Sequence, residues 1–405
     1  MSVGLDKKTD SMLDEKPKTL WSEAWKRLKR DSLAMFGGGI IIFIIIVAFF
    51  SPVISPYDPT LQFTNGTTAF GMPFSPNSHS KKLVFTRTTT EEEFSILPGI
   101  IFKDSTGLSY RTVGVTKVKK GESKIEVQIS PTTVKDFTSL SSIDMKADFE
   151  EAPMQKEMVE KINAKFSSIK FENDKYFILG TDKQGRDSFS RMIWGARVSL
   201  QVGIYSMLFA TVIGIIFGLV SGYFGGWVDM VIMRFTDVMM SIPDLLLVMA
   251  LVSVLPSDEG GKSAQGVGII VFSIGIVSWT GIARLVRSQV FTVKEMEYIE
   301  AAKAAGASSP LILFKHLLPN VVAPVIIIST MGIAGAIMTE ASLSFLGFGV
   351  KPPTPSWGSM VNEGLEFFKD APWVPIIPGA IIAISVFAFN LFGDGVRDAI
   401  DPKLK

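Results

Sequence analysis

Cysteine is absent from the 405 residues, which excludes disulfides, thiolate metal sites and cysteine nucleophiles but does not identify a compartment. Histidine is nearly absent. His79 and His316 lie far apart, and each reads as a polar surface residue rather than half of a metal site. Charge is scarce as well: 20% of residues are charged and the formal net charge is +1, which gives no overall pull toward nucleic acid. With 47% hydrophobic residues and a positive mean hydropathy, the chain is too apolar for an ordinary soluble protein and belongs in a membrane.

What the chain does have is apolar runs of the roughly 20 residues that a helix needs to cross a bilayer core of about 30 Å. They are Leu33–Phe50, Val198–Tyr223, Met230–Leu255, Val267–Val286, Val321–Ser344 and Val374–Phe392. Pro243, Pro324 and Pro378 fall inside such runs, which is tolerated where neighbouring helices satisfy the freed backbone groups. Lys7, Lys8, Lys16, Lys18, Lys26, Arg27, Lys29 and Arg30 precede the first run, so the N-terminus is expected in the cytoplasm. Phe50-Ser51-Pro52-Val53 lacks a small-x-small cleavage site, and the first helix is read as uncleaved. Counting crossings places the loop after the fourth helix inside, where Arg284, Arg287, Lys294, Lys303 and Lys315 agree with it, and the C-terminus inside too.

The expected fold is an all-α polytopic membrane protein of six transmembrane helices with a small α+β extracytoplasmic insert. Its parts are a cytoplasmic segment (1–32), the first helix (33–50), an extracytoplasmic region (51–180) with the insert at about 80–175, a five-helix core (181–398) and a cytoplasmic tail (399–405). In the insert, Lys82–Thr90, Tyr110–Lys119 and Lys124–Ser130 alternate in strand fashion, with Lys120-Gly121-Glu122-Ser123 as a hairpin signal. Met154, Met158, Ile162 and Phe166 have helical spacing and predict an amphipathic helix. No catalytic constellation stands out there, and a structural or docking module is expected.

Glu300-Ala301-Ala302-Lys303-Ala304-Ala305-Gly306 followed by His316-Leu317-Leu318-Pro319 lies in the predicted cytoplasmic loop. Ala301, Ala302, Ala304, Ala305, Gly306 and Ala307 make a compact face that fits a cleft on a partner. Glu300 suits the positive end of a short helix, Gly306 permits a turn, and Pro310 and Pro319 are expected to stop helices. The plain alternative is an alanine-rich surface helix. Gly180-Thr181-Asp182-Lys183-Gln184-Gly185-Arg186-Asp187 and Arg191 lead to Gly195-Ala196-Arg197, just outside the second helix. There Asp187 and Arg191 are expected to pair at helical spacing and to cap the helix start. Asp237 and Glu340 sit within apolar runs, in structural ion pairs or facing a pathway, and Met240 belongs to an adaptable surface that either lines a pathway or packs. Gly214, Gly218 and Gly222 form a small-residue packing face. Gly261-Lys262-Ser263 is no phosphate loop, because Pro256 stands where the first glycine is required.

The spaced pattern resembles the EAA loop of the membrane subunits of ABC importers (E-A-A, three residues, G, nine residues, I-x-L-P), with His316 where Ile is usual. The Gly180–Leu200 block, Glu340–Gly349, Pro355-Ser356-Trp357-Gly358, Ala371-Pro372-Trp373, Asn390–Pro402 and Ser51–Pro59 are similar to the C-type permease of the oligopeptide and dipeptide transporters. The resemblance covers 30–60 and 176–405; the insert is its departure and puts binding-protein docking in doubt. It implies that Glu300, Ala301, Ala302, Gly306, Ala307, His316, Leu318 and Pro319 couple the chain to a separate ATPase. No cofactor is then expected on this chain, which is not an enzyme, ATP and Mg being on the partners. Those are two ABC ATPases, a B-type permease and an extracytoplasmic substrate-binding protein, with peptide as cargo, lipid as surroundings and no nucleic acid. A nickel or metal-chelate importer of the same family is an alternative. A secondary transporter, against which the lack of an internal repeat argues, and an anchored sensor or scaffold are rivals from other classes.

Overall fold

The computed structural model describes residues 20–63, 166–255 and 263–400 throughout, and between them 73, 76, 78–87, 93–96, 101–103, 109–112 and 115–131. The chain divides into two compact units, Met1–Ile46 with Leu200–Leu343 and Ile382–Lys405, and Val47–Ser199 with Ser344–Ile381.

In the first unit, α1 (Leu20–Leu28) precedes the apolar α2 (Ser32–Phe49). Asp31 separates them: its Oδ1 accepts from the N–H groups of Leu33 (2.9 Å) and Ala34 (3.2 Å), satisfying donors that the first turn of α2 leaves open. A short helix, α3 (Ser51–Ile54), follows, and the long α4 (Ser188–Phe224) passes from the second unit into the first. Among the described residues, five helices are long and apolar enough to span a membrane. The run Met230–Leu255, expected as one span, is instead a pair, α5 (Gly226–Met240) and α6 (Asp244–Val254), bent by 91°. Pro243 stands at the bend as the N-cap of α6, and a proline offers no N–H and disfavours a helical residue before it.

Next come α7 (Ser263–Lys294), α8 (Glu297–Ala304), the single turn α9 (Ser309–Leu311), a π-helical turn at Ile312–Leu317 and α10 (Leu318–Phe345). Pro310 and Pro319 were expected to stop helices. Pro310 instead begins one, since a first-turn proline gives up an N–H that has no helical partner, and Pro319 is passed within a continuous run. At Pro319 the wide π turn, where Leu318 N–H reaches the Leu313 carbonyl, carries the run 309–345 through without a stop. Later helices are α11 (Trp357–Gly364) and α12 (Trp373–Ile400).

The glycines of α4 set its packing on α7. A Cβ at Gly214, Gly218 or Gly222 would lie 2.6–2.7 Å from the Cβ of Ile282, Val286 or Val290. Two faces repeating every four residues thus mesh at backbone distance.

In the second unit the insert is an antiparallel sheet. Its strands are β1 (Ser78–Arg87), β3 (Ile101–Lys103), β4 (Ser109–Thr112), β6 (Lys124–Pro131) and β7 (Phe166–Phe177), in the order β3-β4-β6-β1-β7; β2 (Phe94–Ile96) and β5 (Thr116–Val118) form a separate pair. Burial alternates along β6, with Ile125, Val127 and Ile129 inside and Glu126 and Gln128 outside. In central β1, Leu83, Val84 and Phe85 are all buried. Three expectations change here. The stretch Tyr110–Lys119, expected as one strand, holds two, β4 and β5, in different sheets. The turn at Lys120–Ser123 exists, with Gly121 at φ +90°, but its strands β5 and β6 belong to different sheets. The helix expected at Met154–Phe166 lies outside the described residues except for Phe166, which starts β7. The points where the chain enters β1 and leaves β7 are neighbours, since Ser78 pairs with Phe177. Tyr57 holds that end: its hydroxyl donates to the Tyr176 carbonyl (3.1 Å), and its ring packs on Phe177 and Phe63.

Candidate functional site

The predicted coupling segment folds as α8 and its cap. Glu297 and Glu300 stand in the first turn and Lys303 in the last, in keeping with the helix dipole. Gly306 N–H donates to the Lys303 carbonyl (2.9 Å) and Ala307 N–H to that of Ala302 (3.0 Å). This is a Schellman cap, and it places Gly306 at φ +79°, where a side chain is strained. Ile299 alone in the helix is buried, while Glu300, Ala301, Lys303, Ala304, Ala305 and Gly306 are exposed and Ala302 is half-buried. The small face is therefore accessible, anchored from behind by one apolar side chain.

His316, the departure from the motif, lies in the π turn beside α8. Its ring centroid is 6.4 Å from that of Tyr298, and its carbonyl accepts from Asn320 Nδ2 (2.6 Å), which also donates to the Tyr298 hydroxyl (3.2 Å). Leu318 and Pro319 open α10 directly after it. Tyr223, at the end of α4, touches both shoulders of the segment: its carbonyl accepts from Lys294 Nζ (2.6 Å) and its hydroxyl donates to Ser309 Oγ (3.1 Å).

The signature before α4 is a buried charge cluster. Gly180 and Gly185, at φ +70° and +73°, turn the chain so that Thr181 and Asp187 bridge. Asp187 caps α4, accepting from Ser190 N–H (2.7 Å) and Oγ (2.6 Å). The capping expectation holds, but the expected pair with Arg191 does not form: Asp187 is turned onto Ser190, and the Arg191 guanidinium reaches Asp182 and Glu363 (3.0 Å). Arg186 bonds the same two carboxylates, each at 2.6 Å. Burial is the larger influence on Asp182 and Glu363 and raises both carboxyls above their ordinary range against the pull of Arg191. Glu363 is not legible from sequence because it lies 172 residues from Arg191 and outside the recognisable motifs. A second long-range contact joins the start of α4 to Pro355–Gly358: Trp357 Nε1 donates to the Met192 carbonyl (3.0 Å), with its ring over Gly195. Arg197 stays exposed, its guanidinium carbon 5.7 Å from the centre of the Trp194 ring.

Of the pathway candidates, Asp237 is ion-paired with Arg284 (2.8 Å), and the next arginine along α7, Arg287, makes a bidentate pair with Asp229 (2.5 and 2.6 Å). Glu340 is fully buried and has a partner. Met240 lines a cavity of about 490 Å³, which Met207, Asp244, Ser278, Thr280 and Thr339 share. The structure thus brings Met240 to a cavity that does not include Asp237 or Glu340.

Apolar helices long enough to span a bilayer, one bent pair among them, define a multi-pass membrane protein. Residues 214–405 match the model for the binding-protein-dependent transport system inner membrane component, and 19–73 that for the N-terminal TM domain of oligopeptide transport permease C. The dipeptide transport system permease protein DppC of Alkalihalophilus pseudofirmus is 44% identical over 226 residues, 56% of this chain and 72% of its own. The glutathione transport system permease protein GsiD of Pectobacterium atrosepticum is 45% identical over 227 residues (56% and 73%), and the oligopeptide transport system permease protein OppC of Bacillus subtilis 41% over 226 (56% and 72%). Among solved structures, the MetNI methionine ABC transporter in inward-facing form is 20% identical, covers 53% of this chain and 97% of its own, and has a TM-score of 0.41. The chain belongs to the family of inner membrane components of binding-protein-dependent transport systems, in the C-type permease group of DppC and OppC.

Proposed function

We propose that this chain is the C-type membrane subunit of an ATP-driven peptide importer, placed with both termini in the cytoplasm and the β-sheet insert outside. Its helices line half of a translocation path completed by a B-type permease. A binding protein delivers peptide from outside, and two ATPases, which carry the ATP and Mg, seat α8 in their grooves. This chain itself binds no cofactor and performs no hydrolysis. The observation that carries the coupling assignment is the exposed small-residue face of α8, closed by the Schellman cap at Gly306. Peptide cargo is supported by the relatives, whose names specify dipeptide, oligopeptide and glutathione transport.

The test is Ala301→Arg, because Ala301 is exposed and helical, whereas a side chain at Gly306 would add backbone strain to any effect on coupling. Uptake of a labelled tripeptide, with nickel ion in parallel, is measured in cells carrying either form. Loss of tripeptide uptake and of ATPase co-purification in the variant is expected. Uptake that survives Ala301→Arg would return the chain to a self-contained transporter, and uptake of nickel alone would change the cargo.

A further inference from the structure

Asp244 opens α6 at the 91° break and lines the cavity beside Met240. Among the described residues its carboxylate has no hydrogen bond or ion pair, unlike those of Asp229 and Asp237, which hold arginines. A carboxylate in a membrane-crossing segment is costly unless it meets water or a cation, and interrupted helices are where transporters place ligand groups.

The rest of the lining has a matching polarity. Thr280 Oγ1 donates to the Val277 carbonyl (3.2 Å) and Thr339 Oγ1 to the Gly335 carbonyl (2.9 Å). A hydroxyl has one proton, so both have only lone pairs left to offer the cavity. The Met207 and Met240 thioethers are weak acceptors without a donor. Apart from the Ser278 hydroxyl, the named side chains therefore offer acceptors and one negative charge, which suits a compact cation with several N–H donors and suits an anion badly.

We propose that this cavity receives the free α-ammonium group of a peptide in transit, with Asp244 as its counter-charge. This rests on the peptide-importer reading and adds a basis for selectivity within the membrane: a peptide with a free amino end is held, and one with a blocked end is not.

Because the chain has no cysteine, Thr339→Cys supplies its single thiol. In vesicles holding the whole transporter, a cationic methanethiosulfonate should modify that thiol about tenfold faster than an anionic one, the ratio that about 1.4 kcal/mol of charge preference gives. Asp244→Asn should bring the two rates together. Trialanine should protect the thiol from the cationic reagent, and N-acetyl-trialanine should not. In cells, Asp244→Asn should raise the KM for trialanine uptake, and Asp244→Glu should restore it. The labelling ratio is read with Asp244 in place, so it stands even if Asp244→Asn assembles poorly. Equal rates for the two reagents in a transporter that imports trialanine would overturn the ammonium site and leave the peptide reading intact; they are also what a role confined to the helix dipole of α6 predicts. A transporter that imports no peptide would end both.

Discussion

Glu363 shows what a single residue carries in this protein. Two guanidiniums, each about 1% exposed, share the carboxylates of Asp182 and Glu363. Glu363→Ala leaves both arginines on one carboxylate, and breaking a buried pair in this way costs about 3–5 kcal/mol. A matching fall in the thermal midpoint of the purified complex is expected. Glu363→Gln should be milder, because burial already raises this carboxyl and so favours its neutral form. The sign follows from linkage. With its folded value raised, Glu363 contributes stability that is full below its unfolded pKa, about 4.3, and lost as pH rises through the folded one. Midpoints measured against pH should therefore fall less steeply across that window in Glu363→Gln than in the unaltered chain. The sequence made Arg186, Arg191 and Asp182 conspicuous and paired Arg191 with Asp187, because local spacing is all that spacing can see. The partners of Arg191 are Asp182, nine residues back, and Glu363, 172 residues on, and neither stands at a one-turn spacing.

Elements were legible where hydrophobicity alone decides them. Five of the expected spans correspond to long helices and the sixth to a bent pair, since hydropathy counts apolar residues without regard to direction, and the bend at Pro243 changes only direction. The Gly214, Gly218 and Gly222 stripe was legible too, but its partner stripe at Ile282, Val286 and Val290 was not, because any apolar face would have served. That contact predicts that Gly218→Ala, whose Cβ would lie 2.6 Å from Val286 Cβ and 2.7 Å from the Ala283 carbonyl, forces α4 and α7 apart. A loss of about 1–3 kcal/mol is expected for such overpacking. Gly268→Ala, with nothing within 4 Å, is the control, and thermal unfolding of the two variants side by side gives the comparison. Strands were harder. β1 and β6 were found from their alternation, whereas β2 and β3, three residues each, are too short to alternate. The helix of the proposed coupling segment, α8, was legible because its residues recur at fixed spacing, and its Schellman cap gives the glycine in that spacing a reason in backbone geometry.

At the scale of the whole molecule the proposed orientation is open to a direct check, since the chain offers no native thiol to interfere. Gln128→Cys on the exposed face of β6 should react with a membrane-impermeant maleimide in intact cells. Glu295→Cys, exposed between α7 and α8, should react only after the membrane is opened; labelling of Glu295→Cys in sealed cells would invert the topology.

The pairing of Ser78 with Phe177 has a consequence for how such a molecule changes over time. The chain departs for the insert and comes back at one place, a strand's width of about 5 Å apart, and Tyr57 closes that place through the backbone of Tyr176. Everything beyond works as a plug in a two-pin socket. Shortening or exchanging the chain between those pins is therefore expected to leave in place the contact of Tyr57 with Ser190, whose hydroxyl takes the Tyr57 N–H at 3.2 Å.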